Sequence, residues 1–213
     1  MKIYAFSGLG ADQRIFSYLK LDHEIVPIQW VDPGPNETLE SYAGRLGEQV
    51  DTSQSFALLG VSFGGMLASE LSKTLKPVAT ILISSAATRH ELPWMANVSQ
   101  RYRLAQKLPT RLFKPPVLGA YVGFPFHKRN REVAKGIIRD TDPQFVQWAL
   151  GAIVNWKNET HPENLYHIHG RLDPILPYKK RMGAEALGTG HFIILKEAEE
   201  ISLRINQFLI PNS

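Results

Sequence analysis

The 213-residue sequence has no cysteine, which excludes disulfides, a thiol nucleophile and thiolate metal sites together. It also lacks any apolar run approaching the roughly 18 to 20 residues that a membrane-spanning helix needs, and the opening MKIYAF is too short for a signal-peptide core. A soluble, cytoplasmic chain is therefore the expectation. Internal repeats and low-complexity tracts are missing as well. No recognition motif accompanies the basic residues, so nucleic acid is not an expected partner. What is present is the composition of an ordinary globule, 44% hydrophobic and 21% charged, in a length that suits one domain over residues 1–213 with a sizeable core.

Five apolar runs recur along the chain: KIYAFSG (2–8), EIVPIQW (24–30), FALLGVS (56–62), VATILISSA (78–86) and LYHIHG (165–170). They lack clean alternation, as strands of a sheet covered on both faces do. A sixth, in AEALGT (184–189), is weakly marked. Helical patterns lie between them. TLESYAGRLGEQV (38–50) sets Leu39, Tyr42, Leu46 and Val50 on one stripe, and FGGMLASELSKTL (63–75) follows the third run directly. KEAEEISLRINQFL (196–209) repeats Ile201, Ile205, Phe208 and Leu209 at helical spacing, and its early glutamates suit the positive end of a helix dipole. The alternation predicts a doubly wound, mostly parallel α/β sheet. From about residue 88 to 160 the rhythm breaks. TDPQFVQWALGAIVNW (141–156) is the best helix there, with Asp142 as cap, Pro143 in the first turn and a stripe of Phe145, Trp148, Ala152 and Trp156. This segment reads as a helical insertion between two strands.

Gly60, Val61, Ser62, Phe63 and Gly64 match Gly-x-Ser-x-Gly between a predicted strand and a predicted helix, the context in which that pattern forms a sharp turn presenting a serine hydroxyl. Glycine is required on either side because a side chain two residues from the serine would collide across the turn. The plainer alternative is a glycine-rich turn whose serine caps the helix. A nucleophilic serine needs a base, and the base needs an acid to fix its tautomer. Asp173 in RLDPILP follows the fifth run, and His191 in GTGHF precedes the last helix; no other histidine lies beyond Asp173. All three positions fall at the C-terminal ends of strands, where open α/β sheets bind ligands.

With SGLGAD, GVSFGG, HGRLDPILP and GTGHF in this order, the chain resembles the α/β-hydrolase superfamily over nearly its whole length. The resemblance implies Ser62 as nucleophile, Asp173 as acid and His191 as base. It also implies an oxyanion hole from the backbone N–H groups of Phe63 and Leu9, although many relatives carry histidine, glycine, an aromatic and glycine where this chain has Ser7 to Gly10. The first run resembles the family's third strand, so the expected sheet has about six mostly parallel strands without the usual antiparallel N-terminal hairpin. The implied activity is hydrolysis of a carboxylic ester or thioester, with no cofactor and no metal. Serine at the turn argues against relatives that use aspartate there, the haloalkane dehalogenases and epoxide hydrolases. A carbon-carbon bond hydrolase or lyase on the same residues, and a non-catalytic ligand-binding member of the fold, stand as alternatives.

Other features have plain readings beside functional ones. His167 and His169 share one strand face and could bind metal, but no third ligand stands at a convincing spacing, so hydrogen-bonded strand histidines are expected. Asp12 reads as a helix cap. The insertion gathers Trp94, Tyr102, Phe113, Tyr121, Phe124, Phe126, Phe145, Trp148 and Trp156, for its own packing with a subset lining an acyl pocket over Ser62. Between 89 and 157 stand twelve basic residues against four acidic ones, so the insertion holds all of the net charge of +4. That fits a solvated face, or attraction of an anionic or carrier-bound substrate.

Overall fold

Alternation concealed within the apolar runs decides the architecture. Successive side chains of a strand point to opposite faces, so in β1 (Lys2–Phe6) Ile3 and Ala5 pack on one side while Tyr4 and Phe6 pack on the other. The same split separates Leu58 from Ala57, Leu59 and Val61 in β3 (Phe56–Val61), and Leu82 from Ala79, Ile81 and Ile83 in β4 (Ala79–Ile83). Both faces of the sheet are apolar, and polar alternation has no place in such strands.

The computed structural model describes residues 1–93, 142–188 and 190–210. Across them, six strands form one all-parallel sheet in the order β2-β1-β3-β4-β5-β6, with β2 at Glu24–Pro27, β5 at Leu165–His169 and β6 at Glu185–Ala186. Phe6 pairs with Gly60, Val61 with Ile83 and Ile83 with Ile168. The C-terminal ends of the four central strands are therefore level, and their loops open on one edge. β2 stops at Pro27, short of the expected 30, although Ile28 N–H still donates to the Ala5 carbonyl at 2.9 Å.

Helices cover both faces. On the side of Tyr4 and Phe6 lie α1 (Leu39–Gly47), with Leu39, Tyr42 and Leu46 buried, α2 (Phe63–Leu75) and α3 (Pro143–Val154). Thr38 Oγ1 caps α1 by accepting from Ser41 N at 3.2 Å, and Asp142 Oδ1 caps α3 by accepting from Gln144 N at 2.9 Å. The opposite face holds a 3-10 turn (Gln13–Tyr18), the short α4 (Ile193–Lys196) and α5 (Ala198–Leu209), which buries Ile201, Ile205 and Leu209. Two expectations shift. The last helix is interrupted at Glu197, and α3 buries Val146, Ala149 and Ala152, leaving Phe145 and Trp148 half-buried on an adjoining stripe.

The two ends of the expected insertion meet. Arg89 N–H donates to the Asn158 carbonyl at 2.8 Å, and Asn158 Nδ2 donates to the Ala87 carbonyl at 2.8 Å. Trp156, fully buried, donates through Nε1 to Glu70 Oε1 of α2 at 2.6 Å, and Lys73 pairs with the same carboxylate. Trp94, Tyr102, Phe113, Tyr121, Phe124, Phe126 and the basic residues from Arg101 to Arg139 lie outside the described residues.

Candidate active site

The sheet order reverses between β1 and β3, since the chain runs outward from β1 to β2 and returns on the far side of β1. Ligands of open α/β sheets bind at such a reversal, outside the carboxyl ends of the strands. Two loops meet there. The Ser7–Gly10 loop leaves β1, and Ser62 leaves β3; a Cβ built on Gly8 would stand 3.3 Å from Ser62 Cβ.

Ser62 has φ 53° and ψ −120°, a conformation that costs a non-glycine residue roughly 1–3 kcal/mol. The surroundings hold it there. Its N–H donates to the Ile83 carbonyl at 3.0 Å, and its own carbonyl accepts from Gly65 N at 2.9 Å and Ser85 Oγ at 2.6 Å. A side chain on Gly60 would overlap the backbone of Gly64 and Gly65, and one on Gly64 would overlap the Phe6 and Ser7 carbonyls of the neighbouring strand end. The helix-cap alternative fails, because the Ser62 side chain makes no capping hydrogen bond.

Ser62 Oγ lies 2.8 Å from His191 Nε2, and His191 Nδ1 lies 2.6 Å from Asp173 Oδ2. Asp173 is buried in the loop after β5. Its Oδ1 accepts from Ile175 N at 2.8 Å and Leu176 N at 3.0 Å, so one oxygen builds the Asp-Pro turn while the other faces His191. Burial works to raise the Asp173 pKa. The hydrogen bonds of His169 and His191, the His191 charge and the Leu176 amide outweigh it and hold the carboxyl well below its usual range. Asp173 is therefore ionised and accepts, which puts a His191 hydrogen on Nδ1 and turns Nε2 toward the serine. The His191 loop reaches its place because Gly190, at φ +81°, packs on Gly170, where any Cβ would overlap the Gly190 carbonyl.

The β1 loop turns through a hydrogen bond from Ala11 N to the Gly8 carbonyl at 2.9 Å, and the Ala11 carbonyl accepts from Ser7 Oγ at 3.0 Å and Trp30 Nε1 at 3.3 Å. Ser7 thus braces the loop where relatives were expected to carry histidine. Among the described residues, neither Leu9 N nor Phe63 N has an acceptor. Beside Phe63 stands an aromatic wall: Trp30 at 5.9 Å, Trp148 at 6.2 Å and Phe145 at 6.5 Å between ring centroids. A cavity of about 200 Å³ lined by Ser7, Asp12, Gln13, Arg14, Ile28, Gln29 and Trp30 lies on the β2 side and includes none of Ser62, Asp173 or His191. Asp12 caps the 3-10 turn through Arg14 N at 2.9 Å and pairs with the Arg14 guanidinium.

The sequence missed three supporting residues. Ser85 and Ser7 brace the two loops, and His169 contacts Asp173 from behind. The available signal for His169 was its place four residues before the aspartate, at the end of a strand. Among the described residues, no group of three or more histidine, aspartate or glutamate side chains could hold a metal ion, and no helix is long and apolar enough to cross a membrane.

The model of the alpha/beta hydrolase family matches residues 5–202, and the chain belongs to that family of hydrolytic enzymes. Solved structures share its fold at low identity. An esterase from Thermogutta terrifontis matches with a TM-score of 0.77 and 17% identity, over 100% of this chain and 90% of that one. A hydrolase from Pseudomonas aeruginosa gives 0.74 and 14%, over 98% and 89%. A thioesterase of prodiginine biosynthesis from Streptomyces coelicolor gives 0.67 and 16%, over 98% and 90%. No curated protein matches the chain by sequence.

Proposed function

We propose that the protein hydrolyses a carboxylic ester or thioester through an acyl-enzyme on Ser62. The observation that carries this reading is the unbroken chain from Ser62 Oγ to His191 Nε2 at 2.8 Å and from His191 Nδ1 to Asp173 Oδ2 at 2.6 Å. As Oγ attacks the carbonyl carbon, its proton passes to Nε2, and Asp173 stabilises the imidazolium that results. The N–H groups of Leu9 and Phe63 receive the developing oxyanion. They are available because no protein acceptor occupies them among the described residues. Collapse breaks the bond to the leaving alcohol or thiol, which takes the proton from Nε2. Water then loses a proton to Nε2, attacks the acyl carbon and releases the acid, returning the proton to Oγ.

The half-buried Trp30, Phe145 and Trp148, packed around the buried Phe63 ring, offer the apolar surface against which an acyl chain would lie. The esterase and thioesterase among the structural neighbours agree with this substrate class. The reading is tested with a fluorophosphonate, which should label Ser62, and with Ser62→Ala, which should lose both the label and p-nitrophenyl ester turnover. Labelling of a different serine, or an active alanine variant, would overturn it.

A further inference from the structure

The chain of contacts continues past Asp173. His169, the last residue of β5, is fully buried, with Nε2 2.7 Å from the Leu176 carbonyl oxygen and 3.2 Å from Asp173 Oδ2. A carbonyl only accepts, so the hydrogen is on Nε2, and the carboxylate is its second acceptor. On the other side of the ring, Nδ1 stands 3.3 Å from His167 Nε2. Burial, then the neighbouring His169 ring, push the His167 pKa down to about 3 despite the Ser85 backbone beside it, so His167 is neutral. Among the described residues its buried Nδ1 makes no well-formed hydrogen bond, although the Ser85 backbone lies beside the ring. With the His169 hydrogen on Nε2 facing the Leu176 carbonyl, His169 Nδ1 is bare and accepts, so the hydrogen between the two rings belongs on His167 Nε2. The Leu176 carbonyl and the Asp173 carboxylate thus fix the His169 tautomer, and His167 stands behind the ring.

We propose that His169 is a positioning residue for hydrolysis: its Nε2–H, held in that tautomer by the Leu176 carbonyl, locks the Asp173 carboxylate and tempers its basicity toward His191. This rests on the assignment of Ser62, His191 and Asp173 as nucleophile, base and acid. The donors around Asp173 are His191, His169 and the amides of Ile175 and Leu176. Farther out, Tyr178 lies 6.1 Å from the His169 ring, and Glu91 faces His161 at 3.5 Å while Lys179 donates to the Glu91 and Leu92 carbonyls. Those groups are unchanged when His169 alone is replaced. A hydrogen bond from His169 draws negative charge out of Oδ2. Without it, the carboxylate favours the imidazolium of His191 more strongly, and the acid limb of kcat/KM moves to higher pH.

Two variants separate the roles. His169→Asn puts an amide where Nδ1 stands, short of Asp173, while His169→Gln reaches the Nε2 position and restores a donor. Rates are referred to fluorophosphonate-titrated sites, so unfolded protein is not counted. His169→Asn should lower kcat about tenfold with KM within about twofold, and raise the acid limb by about half a pH unit, whereas His169→Gln should stay within about threefold of wild type. An asparagine variant with wild-type kcat and an unmoved limb, or a glutamine variant equally impaired, would overturn the inference. Nitrogen-15 spectra of histidine-labelled wild type provide a check without substitution: neutral His169 should carry its hydrogen on Nε2, and a hydrogen on Nδ1 alone would also overturn it. An active Ser62→Ala would bring down the nucleophile assignment and this inference together; an inactive Ser62→Ala beside an unaffected His169→Asn brings down this inference alone.

Discussion

Asp173 performs two tasks with one carboxylate, and the division between its oxygens makes them separable. Oδ1 accepts the amides of Ile175 and Leu176 and so builds the loop, while Oδ2 orients His191. In Asp173→Asn the side-chain carbonyl can still take the two amides, so the loop is kept. The amide nitrogen then faces His191 Nδ1 as a donor and favours the wrong tautomer, and kcat should fall on the order of 10⁴-fold with little change in KM. A loss below tenfold in steady-state assays would point to a different acid. Stability carries a second signature of the same group. The folded carboxyl takes up its proton at lower pH than an unfolded aspartate, so it contributes stability in full above about pH 4, lost as pH falls through the lower folded value. Tm values of wild type and Asp173→Asn should therefore differ most at neutral pH and converge toward acid.

The strand-turn-helix element shows why some of this was legible in sequence. Its glycines answer to backbone geometry, and that leaves a mark in any sequence. Gly64 touches the Phe6 and Ser7 carbonyls, and no rotamer can relieve a Cβ placed against backbone. Gly64→Ala should cost about 3 kcal/mol or more and lose fluorophosphonate labelling. Gly44, exposed in the middle of α1, has nothing among the described residues within 4 Å of a built Cβ. Gly44→Ala should stabilise by roughly 0.5–1 kcal/mol, seen as a Tm gain of about 2–4 °C per kcal/mol for a chain of this size. The 63–75 helix was read to the residue for the same reason, since it begins where the turn must end. β6 was faint because only Glu185 and Ala186 pair, at the sheet edge, and so short a strand has no pattern to show. Of the stripe read in 141–156, Ala152 and Trp156 are buried and Phe145 and Trp148 pack half-buried against the same core beside Phe63, while Val146 and Ala149, smaller and so less conspicuous in the pattern, are buried as well. His169 escaped notice because strand periodicity marks a buried position without saying what lies against it.

At the scale of the whole molecule, the sheet sets where the proposed chemistry sits, and the charge between residues 89 and 157 bears on what would reach it. Twelve basic residues against four acidic between 89 and 157 leave the rest of the chain net negative, so any long-range attraction originates in that segment. Its ends are tied together by the bonds between Arg89, Ala87 and Asn158, just beyond β4 on the edge that carries Ser62. An anionic ester or an acidic carrier-bound thioester approaching this edge should be accelerated by the field. Screening weakens that field as the Debye length shrinks to about 8 Å at physiological ionic strength. For an anionic substrate kcat/KM should therefore fall between low and moderate salt, while a neutral ester of the same acyl chain should change little. Replacing Arg129 and Arg131 by glutamate should reproduce the salt effect on the anionic substrate and spare the neutral one, because neither residue belongs to the proposed catalytic set. Stopped-flow or steady-state rates on the matched pair of substrates measure this directly. If both substrates respond to salt alike, the positive charge acts only as a solvated face, and the natural substrate need not be anionic.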